Sequence, residues 1–180
     1  MTGAAYARTL TAPDERIAIQ ELLQALFLAE MLAPSQELWI GSAWLADVLF
    51  IDNTGRRYAD IIPDAPATML DLSTVLAVLA EKGCSVRVIV RTDEFNHAVL
   101  ARLRHKREQL LDSTRLGLTT EPDFHEKLIV ADSWLWIASM NLTHRGLDRN
   151  DEHVRVALDP AEAAELRLKL RGRFGSRFAC

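Results

Sequence analysis

The sequence predicts an α/β fold in which a mixed β-sheet is flanked by helices on both faces. Short apolar runs typical of strands alternate with longer segments whose apolar residues recur at helical spacing. A predicted strand, helix and strand follow one another between residues 37 and 90, the connection that a parallel or mixed sheet requires. The 180 residues are 49% hydrophobic and 26% charged. This composition suits one globular domain over residues 1–180 with a buried core.

The first predicted element is a helix near the N-terminus. Thr11 is a candidate N-cap, Pro13 falls in the first turn, and acidic residues follow at the positive end of the helix. Apolar residues at helical spacing then extend the helix to about Leu32. We therefore assign residues 1–34 to an N-terminal helical segment.

The same signals divide the rest of the chain into a sheet with crossover helices over residues 37–158 and a C-terminal helix over residues 160–175. In chain order we expect a strand over 37–44, a turn over 52–55, a helix over 67–82 closed by Gly83, a strand over 86–90, a helix over 94–111, hairpin strands over 126–131 and 135–138, a strand over 153–158, and a last helix opened by Asp159 and Pro160.

Composition excludes several classes of protein. The net charge of −4 argues against a broad, nonspecific coat for nucleic acid. Two cysteines, Cys84 and Cys180, suggest neither a disulfide framework nor a zinc site. No stretch resembles a secretory signal or a membrane span. We expect a cytoplasmic protein that does not enter a membrane.

Polar residues of types that can act in phosphoryl transfer are concentrated between residues 125 and 152. His125 and Lys127 lie two apart on a predicted strand and therefore project from one face. A nucleophilic imidazole beside a cation suits attack on an anionic phosphoryl group. The remaining members follow in order as Asp132, Ser139, Asn141 and Glu152.

This order resembles the signature of the phospholipase D superfamily: H-x-K, four residues, D, then G-S-x-N and a later acidic residue. The resemblance implies a phospholipase D-like fold and a phosphodiesterase that needs neither a metal nor a cofactor. It implies catalytic roles for His125, Lys127, Ser139, Asn141 and Glu152, and structural support from Asp132. The segment from Asn141 to Leu147 resembles the nuclease and defence-associated branch more than the lipid-hydrolysing one.

The sequence departs from the family pattern at two points. Ala138 stands where the family usually has Gly, and the gap between Asp132 and Ser139 is one residue short. A three-residue hairpin loop would oppose Lys127 to Ser139 and His125 to Asn141, which brings all four polar groups to one face. A two-residue loop would oppose Lys127 to Ala138 and split the set. We predict the three-residue loop.

The family's active site uses two copies of the motif, and this chain carries one. A nucleophilic histidine needs an acid on the opposite side of phosphorus to protonate the leaving oxygen. A symmetric homodimer supplies that acid as the second His125. The resemblance thus predicts a covalent phosphohistidine on one His125, with Lys127 and Asn141 holding the nonbridging oxygens and Ser139 adding a hydrogen bond.

Other residues allow two interpretations. Glu152 either orients a histidine, which the resemblance would place in the opposite subunit, or forms a rim salt bridge with Arg155 or Arg149. Trp134 and Trp136 are expected to pack under helices, in the core or against another subunit, with base stacking as the alternative. Basic residues are either solvated helix faces or contacts to a nucleic-acid backbone; those considered for contacts are Arg102, Arg104, Lys106, Arg107 and Arg145.

The leading hypothesis is a homodimeric nuclease that cleaves DNA or RNA. A phospholipase or phosphatidyl-transfer enzyme is the second, although no apolar interfacial surface or anchor is evident in the sequence. A third is a non-catalytic nucleic-acid-binding subunit of a larger defence or DNA-processing complex. The sequence alone does not select the substrate among DNA, RNA and lipid.

Overall fold

The computed structural model describes residues 6–12, 14–148 and 153–178. Its helices and strands are, in chain order, β1 (Tyr6–Thr11), α1 (Arg16–Leu32), β2 (Glu37–Ser42), β3 (Leu49–Asp52), β4 (Met69–Asp71), α2 (Leu72–Glu81), β5 (Ser85–Arg91), α3 (His97–Gln109), β6 (Leu116–Glu121), β7 (Leu128–Val130), β8 (Leu135–Ala138), α4 (His144–Asp148), β9 (His153–Leu158) and α5 (Pro160–Phe174).

A seven-stranded mixed sheet organises the molecule, in the order β1-β9-β8-β7-β2-β5-β6. The strands β2, β5 and β6 run parallel and are connected by crossovers containing α2 and α3. The strands β7, β8, β9 and β1 pair antiparallel to their neighbours, and β7 joins the two groups by pairing with β2. The predicted mixed sheet is therefore confirmed.

Helices cover both faces of this sheet, as predicted. Alternate residues of central strands enter two separate cores, as Ile40 and Trp39 of β2 do. The larger core lies between the sheet and helices α1, α2 and α3. The smaller one lies beneath α5, where Leu170 and Phe174 pack against Phe124 and neighbouring strand residues. None of the described helices combines the length and hydrophobicity needed to cross a bilayer.

Capping side chains set several boundaries where the sequence signals predicted them. Asp159 accepts hydrogen bonds from the backbone N–H groups of Ala161 and Glu162, with Pro160 in the first position of α5. Gly83 has φ +95° just past the end of α2, a conformation that favours glycine. These local signals do not depend on the tertiary fold, which explains their success.

Other predicted boundaries are wrong. Thr11 is not an N-cap: it ends strand β1, which pairs with β9, and α1 begins only at Arg16. The helix expected from residue 67 begins at Leu72, because residues 69–71 form β4. Strand β6 and the short helix α4 were not predicted at all. In each case long-range pairing or packing decides the conformation, which local propensity does not reveal.

The predicted hairpin register is also wrong. The backbone N–H of Ala131 donates to the carbonyl of Trp134, so the loop contains two residues. Leu128 then faces Ile137, and Lys127 is opposite Ala138, whose N–H donates to the Lys127 carbonyl at 2.9 Å. Burial explains the choice: this register pairs Trp136 with Ile129 and places the indole in the larger core.

Candidate active site

Four of the motif residues lie at one end of the sheet even though the register differs from the prediction: His125, Lys127, Ser139 and Asn141. His125 and Lys127 immediately precede β7, while Ser139 and Asn141 immediately follow β8. Because β7 and β8 form an antiparallel hairpin, the start of one lies beside the end of the other. The C-terminal end of β2 and the N-terminal end of β9 lie at the same end of the sheet.

His125 and Lys127 are in direct contact. The Nζ atom of Lys127 lies 2.6 Å from Nδ1 of His125 and 2.7 Å from the His125 carbonyl oxygen. An ammonium group only donates, so Nδ1 accepts this hydrogen bond. A neutral ring in this arrangement carries its proton on Nε2. Attack through Nε2 therefore requires Lys127 to move off Nδ1, and the phosphate oxygens that a lysine binds are its natural alternative partner.

Ser139 shares a surface depression with these two residues. His125, Lys127 and Ser139 line it together with Ile137 and Leu166. Ser139 continues the pairing of β8 with β9, because its backbone N–H donates to the His153 carbonyl at 2.9 Å. Its Oγ also accepts the backbone N–H of His153 at 2.9 Å. The Ser139 hydroxyl is thus fixed at the rim of the depression.

Asn141 lies on the β2 side of this end and not in the depression. Its Oδ1 accepts the backbone N–H of Trp44 at 3.2 Å and lies 3.4 Å from Ser42 Oγ. With the oxygen engaged, the NH₂ group is the part of the side chain suited to donate to an anion. Gly146 supports this loop: a Cβ at that position would lie 2.2 Å from the Asn141 carbonyl oxygen.

Asp132 lies at the opposite end of β7 from His125. It accepts the backbone N–H of Gln36 at 2.6 Å and forms an ion pair with Arg167 of α5, also at 2.6 Å. Asp132 therefore connects the hairpin loop to the start of β2 and to helix α5. These contacts suit the supporting role that the motif predicts for it.

Glu152 lies outside the described residues, as do Arg149, Asn150 and Asp151. The structure places Arg155, one of the two alternative partners of Glu152, against Glu162 in a two-pronged ion pair at 2.7 and 2.8 Å. The orienting role of Glu152 stays a prediction.

The basic residues considered for nucleic-acid contacts fall mainly on α3. Arg102 and Arg104 are exposed, Lys106 and Arg107 are half-buried, and Arg145 is exposed on α4. Arg102 pairs with Asp47 at 3.1 Å. Helix α3 follows the end of β5 and runs away from the motif, so Lys106 and Arg107 lie about 6–8 Å farther along its axis than Arg102. Their contact role stays a prediction.

Two groups of residues at the site escaped the sequence analysis. The first is the pair Phe124 and Gly41. The Phe124 ring is buried beneath α5 and lies against Gly41 so closely that a Cβ there would be 2.6 Å from Cζ. This packing positions the chain immediately before His125. An apolar residue adjoining the motif histidine is the only sequence signal for it.

The second group is Trp44, Arg91 and Asp93. The Arg91 guanidinium lies 5.3 Å from the centre of the Trp44 ring, and its Nε donates to the Phe124 carbonyl at 3.2 Å. The Trp44 indole N–H donates to Asp93 at 3.3 Å. The backbone N–H of Phe95 lowers the pKa of Asp93 most, with further lowering by the Trp44 indole and Arg91. No motif marks these residues.

Titratable side chains do not gather into a metal-binding group within the described ranges: no three His, Cys, Asp or Glu residues there could hold an ion together.

A family model described as a cardiolipin synthase, phospholipase D-like domain matches residues 58–173. The chain belongs to the phospholipase D superfamily. This assignment covers more than half of the sequence, including the segment that carries the motif. A search of curated proteins gave no match.

Solved structures of this superfamily have the same fold. Nuc from Salmonella typhimurium, a phospholipase D family member, superposes with a TM-score of 0.61 at 14% identity, over 96% of this chain and 95% of that one. NucT from Helicobacter pylori gives 0.59 at 13% identity, over 94% and 95%. Phosphatidylserine synthase from Haemophilus influenzae gives 0.56 at 16% identity, over 95% of this chain and 38% of that one. The recognised superfamily supports a phosphodiesterase-type function.

Proposed function

We propose that this protein is a metal-independent nuclease that cleaves a phosphodiester of DNA or RNA in a homodimeric active site. The observation that carries the proposal is the placement of His125, Lys127 and Ser139 around one depression, with Asn141 at the same sheet end. Membership of the phospholipase D superfamily supports the phosphodiester chemistry. The fold shared with Nuc and NucT, of whose chains 95% is matched, is consistent with this chemistry.

The proposed reaction has two displacements at phosphorus. A ring nitrogen of one His125 attacks phosphorus and the bond to the leaving oxygen breaks, which forms a phosphohistidine. The protonated His125 of the second copy donates its proton to the leaving oxygen. The same residue then takes a proton from water, and the resulting hydroxide attacks phosphorus and breaks the P–N bond. The diester is thereby hydrolysed and both histidines return to their starting states.

Positive and donor groups stabilise the charge that grows on the nonbridging oxygens. Lys127 leaves His125 Nδ1 for a phosphate oxygen when substrate binds, which also frees the ring for attack. The NH₂ group of Asn141 donates from the β2 side, and Ser139 adds a hydroxyl at the rim. In the second copy, the same groups surround the opposite side of phosphorus. Glu152 orients a histidine of this pair by accepting its N–H.

Cleavage of labelled single- and double-stranded oligonucleotides in EDTA tests the proposal. We expect turnover by the unchanged protein, none by His125→Ala, and losses on the order of 10²–10³-fold for Lys127→Ala and Asn141→Ala. His105→Ala is the matched control, because His105 is an exposed histidine near the far end of α3. Turnover by His125→Ala at the original rate would refute the proposed nucleophile.

The stereochemical outcome tests the covalent step separately. Two successive displacements give net retention at a chiral phosphorothioate diester, whereas one direct attack by water gives inversion. Retention is expected. Inversion would leave a nuclease without the phosphohistidine.

A phosphatidyl-transfer activity is the second candidate. It is favoured by the family description, which names cardiolipin synthase, and by the similarity to a phosphatidylserine synthase. Release of headgroups from phosphatidylglycerol in detergent micelles, with no cleavage of oligonucleotides, would support it. Nucleic-acid binding without any turnover would instead favour a non-catalytic subunit of a larger complex. TrmBL2, an archaeal chromatin protein described as binding DNA, has a similar fold, with a TM-score of 0.52.

A further inference from the structure

A surface of aromatic and cationic side chains lies beside the motif, between Asn141 and the residue before His125. Its members, which we call the Trp44 platform, are Trp44, Arg91 and Phe95. The backbone N–H of Trp44 bonds Asn141, and the Arg91 side chain bonds the carbonyl of Phe124, the residue before His125. The platform is therefore hydrogen-bonded to a motif residue on one side, Asn141, and to the residue before His125 on the other.

One carboxylate holds the platform together. Asp93 accepts the indole N–H of Trp44 at 3.3 Å through Oδ2 and the backbone N–H of Phe95 at 2.9 Å through Oδ1. Arg91 lies against the Trp44 ring, 5.3 Å from its centre. Asp93 thus holds the indole of Trp44 and the backbone of Phe95 in place before any ligand arrives.

The two aromatic rings of the platform are partly exposed to solvent. Phe95 is 52% exposed and Trp44 is half-buried, whereas the three other tryptophans, Trp39, Trp134 and Trp136, are each at most 3% exposed. The Asn141 contact of Trp44 uses its backbone N–H and does not require the indole. Neither core packing nor the Asn141 contact accounts for the ring surface that stays exposed.

We infer that the Trp44 platform binds an unpaired base next to the cleaved phosphate, so that the substrate is single-stranded nucleic acid. Aromatic rings and guanidinium planes stack on exposed base faces, and this stacking tolerates any base. A base inside a duplex has both faces covered by its neighbours and cannot stack on a protein ring unless it is flipped out. The inference rests on the proposed function, of which it names the substrate class.

The matched ligands for a test are a dT 12-mer and an abasic 12-mer, which have the same phosphates but differ in their bases. Binding is measured by fluorescence anisotropy in EDTA, in a His125→Ala background that keeps the ligands intact. We expect the dT 12-mer to bind on the order of 10- to 100-fold more tightly than the abasic one. A U 12-mer reports whether RNA binds likewise, and a 12-base-pair duplex is expected to bind no better than the abasic strand.

Substitutions then assign the base dependence to the platform. Trp44→Leu and Phe95→Leu should each lower affinity for dT while leaving affinity for the abasic strand unchanged. Arg91→Lys keeps the charge and loses the planar group, so it should also act on dT alone. Tyr6→Leu is the control: Tyr6 is 55% exposed and pairs with Leu158, at the end of β9 away from the motif. It should change neither affinity.

The outcomes separate this inference from the proposed function. Equal affinity for dT and abasic strands, or equal weakening of both by Trp44→Leu and by Phe95→Leu, would overturn the platform. Duplex binding as tight as single-strand binding would overturn it too. Cleavage is read separately with His125 intact: oligonucleotide cleavage without base dependence removes only the platform, while base-dependent binding with no cleavage removes only the hydrolysis.

Discussion

Gly41 determines where His125 can lie, because the ring of Phe124 occupies the space that a side chain at residue 41 would fill. The sequence offers His125 as a candidate nucleophile through its neighbours in the motif. It does not reveal the role of Gly41, which lies 84 positions earlier and meets Phe124 only after β7 has paired with β2. Chemical identity at this site is thus readable from the sequence, and its positioning is not.

Replacing Gly41 with Ala should strongly lower the rate of oligonucleotide cleavage and change the thermal stability of the fold much less. The new Cβ would lie 2.6 Å from Phe124 Cζ, so the ring and the adjoining His125 must shift. A 1 Å misplacement of a reacting group costs on the order of 100-fold in rate. Oligonucleotide cleavage and thermal unfolding check the expectation. Gly172→Ala is the control, because a Cβ there would meet no atom within 4 Å apart from its chain neighbours and the nearby backbone of α5 itself. Unchanged cleavage by Gly41→Ala would refute the positioning role.

Cys84 should be inert in the folded protein. Burial is the largest of the effects that raise the pKa of its thiol to about 12, so the reactive thiolate is scarce at pH 8.5. The unfolded thiol has a pKa of about 8.5. Ionisation therefore favours the unfolded chain as the pH rises above that value, and the stabilisation present at lower pH is progressively lost. In a Cys180→Ser variant, we expect iodoacetamide to label Cys84 only after denaturation; rapid native labelling at pH 8.5 would contradict this.

At the scale of elements, the β7–β8 hairpin explains where the sequence analysis failed. The motif residues favoured a three-residue loop because that loop aligns four polar groups. The fold instead adopts the register that buries Trp136 beside Ile129. Apolar burial contributes about 25 cal/mol per Å² removed from water, so a large indole outweighs the alignment of side chains near a solvent-exposed rim. The polar groups still lie at one end of the sheet because they are beyond the strand ends.

A pair of substitutions in this hairpin should separate hydrogen bonding from packing. Both indoles are buried in the same core. Trp134 Nε1 donates to the buried carboxylate of Glu30 at 2.7 Å, whereas no acceptor within the described ranges bonds Trp136 Nε1. Trp134→Phe should therefore lower the free energy of unfolding by about 1.5–3 kcal/mol more than Trp136→Phe does. Urea denaturation measures both, and equal losses would mean that the Glu30 contact adds nothing.

At the scale of the whole molecule, the alternation of strands and helices predicted the mixed sheet and its two covered faces. It did not predict β1 or β6, the two edges of that sheet. Edge strands are paired on one side only and have a weaker apolar pattern, as the largely exposed β1 illustrates. The centre of the fold was therefore predictable and its margins were not.

A dimer should be the active species. One chain carries one His125, and the proposed reaction needs a second imidazole as acid. Light scattering should give twice the 20.2 kDa chain mass. Unchanged and His125→Ala chains are mixed at a constant total concentration. Activity should then fall as the square of the fraction of unchanged chains, because a mixed pair lacks one imidazole. A linear reduction, or an active monomer, would contradict the shared site.

The pairing of β1 with β9 has a consequence for how the chain acquires its fold. Tyr6 pairs with Leu158 and Thr11 with His153, so this contact closes a loop of about 140 to 150 residues. Contacts between such distant segments are slow to form. During synthesis β1 has no partner until the residues of β9 have emerged, and β9 is also the strand that anchors Ser139. The end of the sheet that carries His125 is thus completed only after β9 is made, and nascent chains should lack activity until β9 is in place.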